Sequence, residues 1–299
     1  MYINGQFREH IGFVVGCVLA AMVFGAVFGS FACCQAWRIR LKQKGRKLGK
    51  RSVCLKCGRR LKWYENIPIV SWIIQRGKCR GCEKKIGSAE IVTEVLGMIG
   101  FIGVGLFFAK GFLEIATQCG FGLGYFCGQN LELIFLVLSV LLVLAIFVTM
   151  TVIAVYDAKW GEMPTKLLNL AVILAGVFAV LMAFWLGFSR AVVDGASQIA
   201  IDYAMVGDYL LSAGESVLIL AGTYYILYKV SDEKWVGGGD YILCLAIALV
   251  LGKPFLALLE LTLANILGLA VMLPQKKRKK MIPFGPFLVI AFAILFCFV

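Results

Sequence analysis

Asp157 and Asp240 are the two carboxylates of this chain whose surroundings favour chemistry. Asp240 follows Gly237, Gly238 and Gly239 and begins an apolar stretch, whereas Asp157 ends another apolar stretch and precedes a short polar segment. Charge at the edge of a membrane segment is costly to place, so such a residue is a candidate functional group. Two aspartates brought together from different helices are typical of aspartic proteases, in which a shared proton supports acid–base chemistry. The competing interpretation is that each lies at a helix end in headgroup water.

The three glycines before Asp240 favour the functional interpretation at that position. Successive glycines carry a conformational-entropy cost, and irregular backbone near a bilayer is tolerated only where it lines water or is buried in protein. We therefore expect an irregular glycine turn, with Asp240 at a helix N-terminus. Because the stretch from Asp240 to Gly252 is short for a span, either the glycine turn dips below the membrane surface or the Gly252-Lys253-Pro254 turn lies inside the far leaflet. The first option would place Asp240 in a water-filled notch.

Four cysteines form a second and independent pattern. Cys54 and Cys57 make one C-x2-C pair, Cys79 and Cys82 make another, and 21 residues separate the pairs. Four thiolates at this spacing are typical of a tetrahedral zinc site, and four sulfur ligands leave no open position, so the zinc is expected to be structural. Two further cysteines, Cys119 and Cys127, share a loop; the sequence leaves open whether they form a disulfide.

Composition places these motifs in a membrane. Of the 299 residues, 61% are apolar and 16% are charged, which excludes an ordinary soluble domain. About 20 apolar residues cross a bilayer, and the chain is predicted to be an all-α polytopic membrane protein with about eight transmembrane helices. The expected spans are 11–36, 91–109, 132–156, 166–187, 209–229, 240–252, 254–273 and 283–299.

The distribution of positive charge sets the expected orientation. Of 30 Lys and Arg, 17 lie between Arg38 and Lys85 and five lie in 276–280. With eight spans both groups fall on one side, which the positive-inside rule assigns to the cytosol. Asp157 and Asp240 then share the cytosolic face of the cell (inner) membrane. The net charge of +13 is interpreted as topology and lipid headgroup contact, and nucleic-acid binding is not expected.

Several longer motifs resemble the type IV prepilin leader peptidases, and the resemblance runs nearly end to end. The motifs are Gly29-Ser30-Phe31, Trp63-Tyr64-Glu65-Asn66-Ile67-Pro68, Asp157 followed by Met163-Pro164, Gly237-Gly238-Gly239-Asp240, Gly252-Lys253-Pro254 and Pro283-Phe284-Gly285-Pro286. The resemblance implies a membrane aspartic endopeptidase with Asp157 and Asp240 as its catalytic pair. It also implies prepilin or pseudopilin substrates: a short basic leader, a small residue, then a hydrophobic helix.

The chain departs from the family pattern at three positions. Cys33, Thr165 and Ile242 stand where the family usually carries other residues. Neither catalytic carboxylate is affected. Many relatives also methylate the new N-terminus with S-adenosylmethionine, and the changes at Cys33 and Ile242 leave that activity and its cofactor open.

Two other functions are also compatible with these motifs. Intramembrane aspartates and a glycine break also suit an ion- or proton-coupled transporter, and a zinc-stabilised assembly platform without catalysis is a third interpretation.

We expect a first transmembrane segment at 1–36, a cytosolic zinc loop at 37–90 and a seven-helix protease domain at 91–299. Four acidic residues are interpreted mainly as solvated loop charges, with attraction of a basic leader as the alternative: Glu65, Glu162, Asp232 and Glu233.

Overall fold

The structure is a computed structural model that describes residues 2–45, 51–54, 56–118, 129–193, 201–233, 235–273 and 283–299. Apolar segments in lipid must satisfy their own backbone hydrogen bonds, and a helix does so within one segment. The helices are α1 (Tyr2–Gln43), α2 (Val70–Ile74), α3 (Ser88–Gln118), α4 (Gln129–Trp160), α5 (Thr165–Val193), α6 (Tyr203–Val217), α7 (Thr223–Val230), α8 (Gly238–Leu251), α9 (Pro254–Met272) and α10 (Gly285–Leu295).

The chain is a multi-pass membrane protein. Within the described residues, six helical segments are long and apolar enough to cross a membrane, and two shorter apolar helices accompany them. The shorter ones are Gly238–Leu251 and Gly285–Phe298, which correspond to the sixth and eighth expected spans. The all-α membrane fold predicted from composition is therefore confirmed, and the expected eight segments divide into six long helices and two short ones.

Several helices extend beyond the expected spans, as α3 does by nine residues at its end. α1 continues seven residues beyond position 36, to Gln43, because its polar end Arg38–Gln43 remains helical past the apolar stretch. α6 and α7 form one continuous rod, joined by a single π-helical turn at Leu218–Gly222. Such turns are rare, cannot be read from hydropathy, and are frequent at functional sites.

Small residues bring α1 close to α3. A methyl group added to Gly25 or Gly29 would overlap the α3 backbone at Gly97 or Thr93. Helices in lipid associate through such close van der Waals packing, since lipid removes the hydrophobic driving force between them. The glycine of the first-span motif is thus explained by helix packing.

The core lies among α4, α5, α8 and α10. Phe147 of α4 stacks on Phe292 of α10 with ring centroids 4.9 Å apart, and Phe296 packs edge-on against Phe147. All three rings are buried. These contacts fix α10 against the middle of α4, about 15 Å along that helix from Asp157.

Two expectations concern residues outside those that the structure describes. The basic run 276–280 and the pair Cys119 and Cys127 lie there.

Candidate functional site

Asp157 lies in the last turn of α4, at 5% exposure. Gly161, with φ of +67°, ends the helix, and its N–H donates to the Asp157 carbonyl oxygen at 2.7 Å. The Asp157 side chain accepts a hydrogen bond from the N–H of Gly285, the first residue of α10, at 2.9 Å between N and Oδ2. A carboxylate at a helix end is therefore held by a helix more than a hundred residues away.

Asp240 lies in the first turn of α8, at 7% exposure. Its Oδ2 accepts the Gly237 N–H at 2.9 Å. Gly237 is the extended N-cap residue, and Gly238 and Gly239 already belong to the helix. The glycines therefore form the start of a helix, where the sequence suggested an irregular turn. The expected placement of Asp240 at a helix N-terminus is confirmed.

Met163 connects the two aspartate segments. A methyl group added to Gly239 would lie 2.8 Å from Met163 Sδ, and one added to Gly285 would lie 2.6 Å from Met163 Cε and 2.9 Å from Asp157 Oδ2. Glycine is thus required at both positions for close approach. Met163 and Gly285 belong to motifs that the sequence shows. Their contact could not be predicted, because the two residues lie far apart in the chain.

The two carboxyl groups face a common region. They are close enough to interact electrostatically, and neither is exposed to bulk solvent. Each uses Oδ2 to accept one backbone N–H, and Asp240 Oδ1 has no hydrogen-bond partner among the described residues. This arrangement can bind a water molecule and exchange a proton with it, as general acid–base chemistry requires.

The four cysteines converge on one point outside the helices. Their sulfur atoms all lie within 4.8 Å of one another, and Cys54 Sγ lies 4.0 Å from Cys82 Sγ. Each pair sits on a tight turn of the same design. The Cys54 N–H donates to Arg59 and the Cys79 N–H to Lys84, and isolated bridges pair Val53 with Arg60 and Lys78 with Lys85.

The cluster can hold a metal ion. Tetrahedral Zn–S bonds of about 2.3 Å place sulfur atoms about 3.8 Å apart, close to the separation of Cys54 and Cys82. The backbone N–H groups of Gly81 and Cys82 lower the pKa of the Cys79 thiol to about 6, which favours the thiolate that binds metals.

Glu65 supports the cysteine turns. Its side chain is 1% exposed and accepts bonds from the Arg59 guanidinium and the Lys62 N–H, both at 2.8 Å. The Arg59 guanidinium, and to a smaller extent the Lys62 N–H, hold the pKa of Glu65 below its usual range. Arg59 also interacts electrostatically with Cys79. The interpretation of Glu65 as a solvated charge is therefore wrong, whereas Glu162, 61% exposed and paired with Arg40, is a surface charge.

One further acidic residue was not singled out from the sequence. Glu260 is fully buried in α9, and neither of its carboxyl oxygens has a hydrogen-bond partner among the described residues. It interacts electrostatically with Tyr224 and Cys244, which also interact with Asp240. A lone ionisable residue within an apolar span was the signal that could have identified it.

Comparison with known proteins finds similar sequences. A family model described as the bacterial peptidase A24 N-terminal domain matches residues 23–108, which include all four cysteines. The prepilin leader peptidase/N-methyltransferase of Aeromonas hydrophila is 25% identical over 245 residues, which cover 81% of this chain and 69% of that protein. The protein of the same name from Dichelobacter nodosus is 26% identical over 253 residues, which cover 84% and 72%.

A third relative shows a similar degree of identity. The prepilin leader peptidase/N-methyltransferase of Pseudomonas aeruginosa is 26% identical over 244 residues, which cover 80% of this chain and 69% of that protein. No solved structure matches the chain significantly. The matches to these relatives span most of the chain, and the family model covers the four cysteines. The chain is therefore similar to prepilin leader peptidase/N-methyltransferases over 80–84% of its length.

Proposed function

We propose that this protein is a membrane aspartic endopeptidase that removes the basic leader of prepilins or pseudopilins at the cytosolic face of the cell membrane. The observation that carries the proposal is the pair of buried carboxylates, Asp157 and Asp240, presented by two different helices to one region. The names of the relatives supply the substrate class.

In the proposed reaction, Asp157 and Asp240 act as one unit that holds a single shared proton. The ionised carboxylate takes a proton from water, and the water oxygen attacks the scissile carbonyl carbon. The protonated carboxyl donates its hydrogen bond to the carbonyl oxygen. As the C–N bond breaks, the proton taken from water passes to the leaving amine, and the pair returns to its starting state. The two backbone N–H donors, Gly237 and Gly285, keep the carboxyl groups oriented throughout.

A groove beside the site suits the hydrophobic part of such a substrate. A cavity of about 350 Å³ lies between α3, α4 and α10, and its walls are almost entirely apolar. It extends from Phe147 to Lys159 along α4, about 18 Å at 1.5 Å per residue, and ends beside Pro286, next to Gly285. A helix seated there would bring its cytosolic end to the aspartates.

We infer that the cysteine cluster binds one zinc ion with a structural role. Cys54, Cys57, Cys79 and Cys82 would supply all four ligands, so no coordination position remains for substrate. The ion would fix the two turns to each other. This segment carries much of the basic charge that supports a cytosolic location.

The relatives' names pair peptidase activity with N-methylation, and we extend that second activity to this chain with S-adenosylmethionine as methyl donor. Mass spectrometry of the cleaved product tests it separately from proteolysis. A product that gains a methyl group only when the donor is added supports the extension, and an unmethylated product contradicts it.

The experiment that tests the main proposal is a cleavage assay. Purified protein in detergent is incubated with a prepilin-like polypeptide that has a basic leader, a small residue and a hydrophobic segment. We expect one cut at the junction between leader and hydrophobic segment. An intact substrate after prolonged incubation with well-folded protein would instead favour the transporter or assembly-platform interpretation.

A further inference from the structure

We propose that the segment between the cysteine pairs inserts an apolar edge into the lipid interface of the bilayer. This loop edge consists of Trp63, Ile67, Val70, Ile73 and Ile74. Its role would be to hold the cysteine turns against the membrane on the side of the two aspartates. The inference is independent of the peptidase activity.

The loop edge is unusually exposed for its composition. Trp63 is 79% exposed, Ile74 is 63% exposed and Ile73 is 59% exposed. Four of its five members are aliphatic, and all lie within twelve residues of the chain. Soluble surfaces rarely gather such side chains, and a contiguous apolar patch marks an interaction site.

One hydrogen bond to α3 sets the position of the loop edge relative to the membrane. The Ile69 N–H donates to Glu94 Oε2 at 2.7 Å. By length and composition, the membrane-crossing part of α3 begins at Glu90, so Glu94 lies about 6 Å inside that start at 1.5 Å per residue. Val70 follows Ile69 directly, and Ile67 lies two residues before it. The loop edge therefore lies at the level where headgroups meet acyl chains, and lipid is the medium that surrounds it there.

The backbone is held so that the loop edge points away from the protein. Ile69 has a φ of +60°, a conformation that β-branched residues rarely adopt. Such strain persists only where surrounding contacts determine it, and here the bond to the buried Glu94 does so. α2 begins at the next residue and carries Val70, Ile73 and Ile74.

The residues around the loop edge match a lipid interface. Tryptophan is enriched at the headgroup level, where its ring is buried and its N–H stays wet. Lys62 and Arg76 flank the apolar residues in sequence, and both are exposed. Cationic side chains next to an inserted edge favour anionic headgroups. A basic substrate leader, by contrast, has no complementarity to this combination of apolar and positive groups.

The test measures contact with acyl chains at single positions. A fluorescent amino acid is incorporated at Ile73, at Trp63, or at the exposed control position Lys84 on the cysteine turns. Each protein is reconstituted into phosphatidylcholine–phosphatidylglycerol vesicles with or without brominated acyl chains, which quench on contact. We expect quenching at Ile73 and Trp63 to exceed that at Lys84 at least threefold, with or without substrate.

Two results would overturn the inference. One is quenching at Ile73 and Trp63 that is as weak as in vesicles without brominated chains, which would place the loop edge in water. The other is a blue-shifted, quencher-insensitive signal at Ile73 that arises only when an apolar prepilin segment is added, which would make the loop edge a substrate surface. Repeating the measurement at Ile74 guards against a local defect from one replacement.

Discussion

At the residue scale, the site depends on how each carboxylate is fixed. Asp157 and Asp240 each accept one backbone N–H on Oδ2. A hydrogen bond to a charged group contributes about 1.5–3 kcal/mol, enough to hold one oxygen in place. Asp240 Oδ1 is buried and is left without a partner among the described residues. Orientation by backbone, rather than by other side chains, leaves both carboxyl groups free for proton exchange.

Gly285→Ala tests this orientation. The alanine N–H remains, but its Cβ would lie 2.9 Å from Asp157 Oδ2 and 2.6 Å from Met163 Cε. Asp157 must shift, and displacement by about 1 Å can reduce a rate by about 100-fold. We expect kcat for leader cleavage to fall about 10- to 100-fold. The matched control is Gly176→Ala in α5, where no atom lies within 4 Å of the added methyl; wild-type kcat in both variants would contradict the role of Gly285.

The sequence predicted the individual site residues better than their surroundings. Asp157, Asp240 and the cysteine pairs stand out because charge and paired thiols are conspicuous in an apolar chain, although the catalytic role of the aspartates remains a prediction. The contact of Gly285 with Asp157 joins residues 128 positions apart, and no local pattern encodes it. Glu65 was misread for the same reason, since burial beside Arg59 depends on how the two cysteine turns fold together.

At the scale of elements, the cysteine segment between α1 and α3 has only short elements in its described residues, 51–54 and 56–87. These residues contain one turn of 3₁₀ helix at Trp63–Asn66, the five-residue α2 and two isolated bridges. Such short elements are unstable alone, and a structural metal contributes on the order of 10 kcal/mol to comparable small folds. The metal and the Arg59–Glu65 pair are thus expected to supply most of the order between α1 and α3.

Removal of the metal is therefore expected to unfold this segment alone. Cys57→Ser should lower the metal content from one equivalent to near zero and expose the chain between Gln43 and Ser88 to protease. The membrane helices should keep their helical circular-dichroism signal. Cys34→Ser, which alters a thiol outside the cluster, should keep one equivalent. Full zinc occupancy in Cys57→Ser, or no zinc in wild-type protein purified without chelator, would contradict the four-cysteine site.

Element boundaries were predictable from hydropathy only where a span is long. The short α8 was expected from the 13 residues between Asp240 and Gly252, and the structure gives it 14 residues. The π turn between α6 and α7 depends on packing against α8 and α9 and leaves no trace in composition. The helical start of α8 at Gly238 was also missed, because three glycines favour irregular backbone when judged locally.

At the scale of the whole molecule, side-chain contacts show which residues lie at the same end of the helix bundle. Lys110 in α3 and Lys253 between α8 and α9 both reach the Val299 carbonyl oxygen, at 3.5 Å and 3.4 Å. At the opposite end of the bundle, which carries Asp157, Lys159 pairs with Glu90 at 3.5 Å. The aspartates and the cysteine segment therefore share one end, and the two lysines lie at the opposite one.

Accessibility to an impermeant thiol reagent tests which end is cytosolic. In intact cells, a cysteine introduced in 276–280 or at Lys84 should resist labelling, because the positive-inside rule places these segments in the cytosol. A cysteine at Lys253 should label readily, and native thiols are measured in parallel as background. Rapid labelling at Lys84 with protection at Lys253 would reverse the orientation.

The central claim is that Asp157 and Asp240 act as one catalytic unit, and kcat/KM for leader cleavage tests it most directly. Asn keeps the size and polarity of Asp but cannot exchange the proton. We expect Asp157→Asn and Asp240→Asn each to reduce kcat/KM by on the order of 1,000-fold or more, and the double variant to be little worse than either, since residues of one unit are non-additive. Asp232→Asn and Glu233→Gln, close to Asp240 in sequence, should retain substantial activity. Cleavage at the wild-type rate by either single Asn variant would contradict the account.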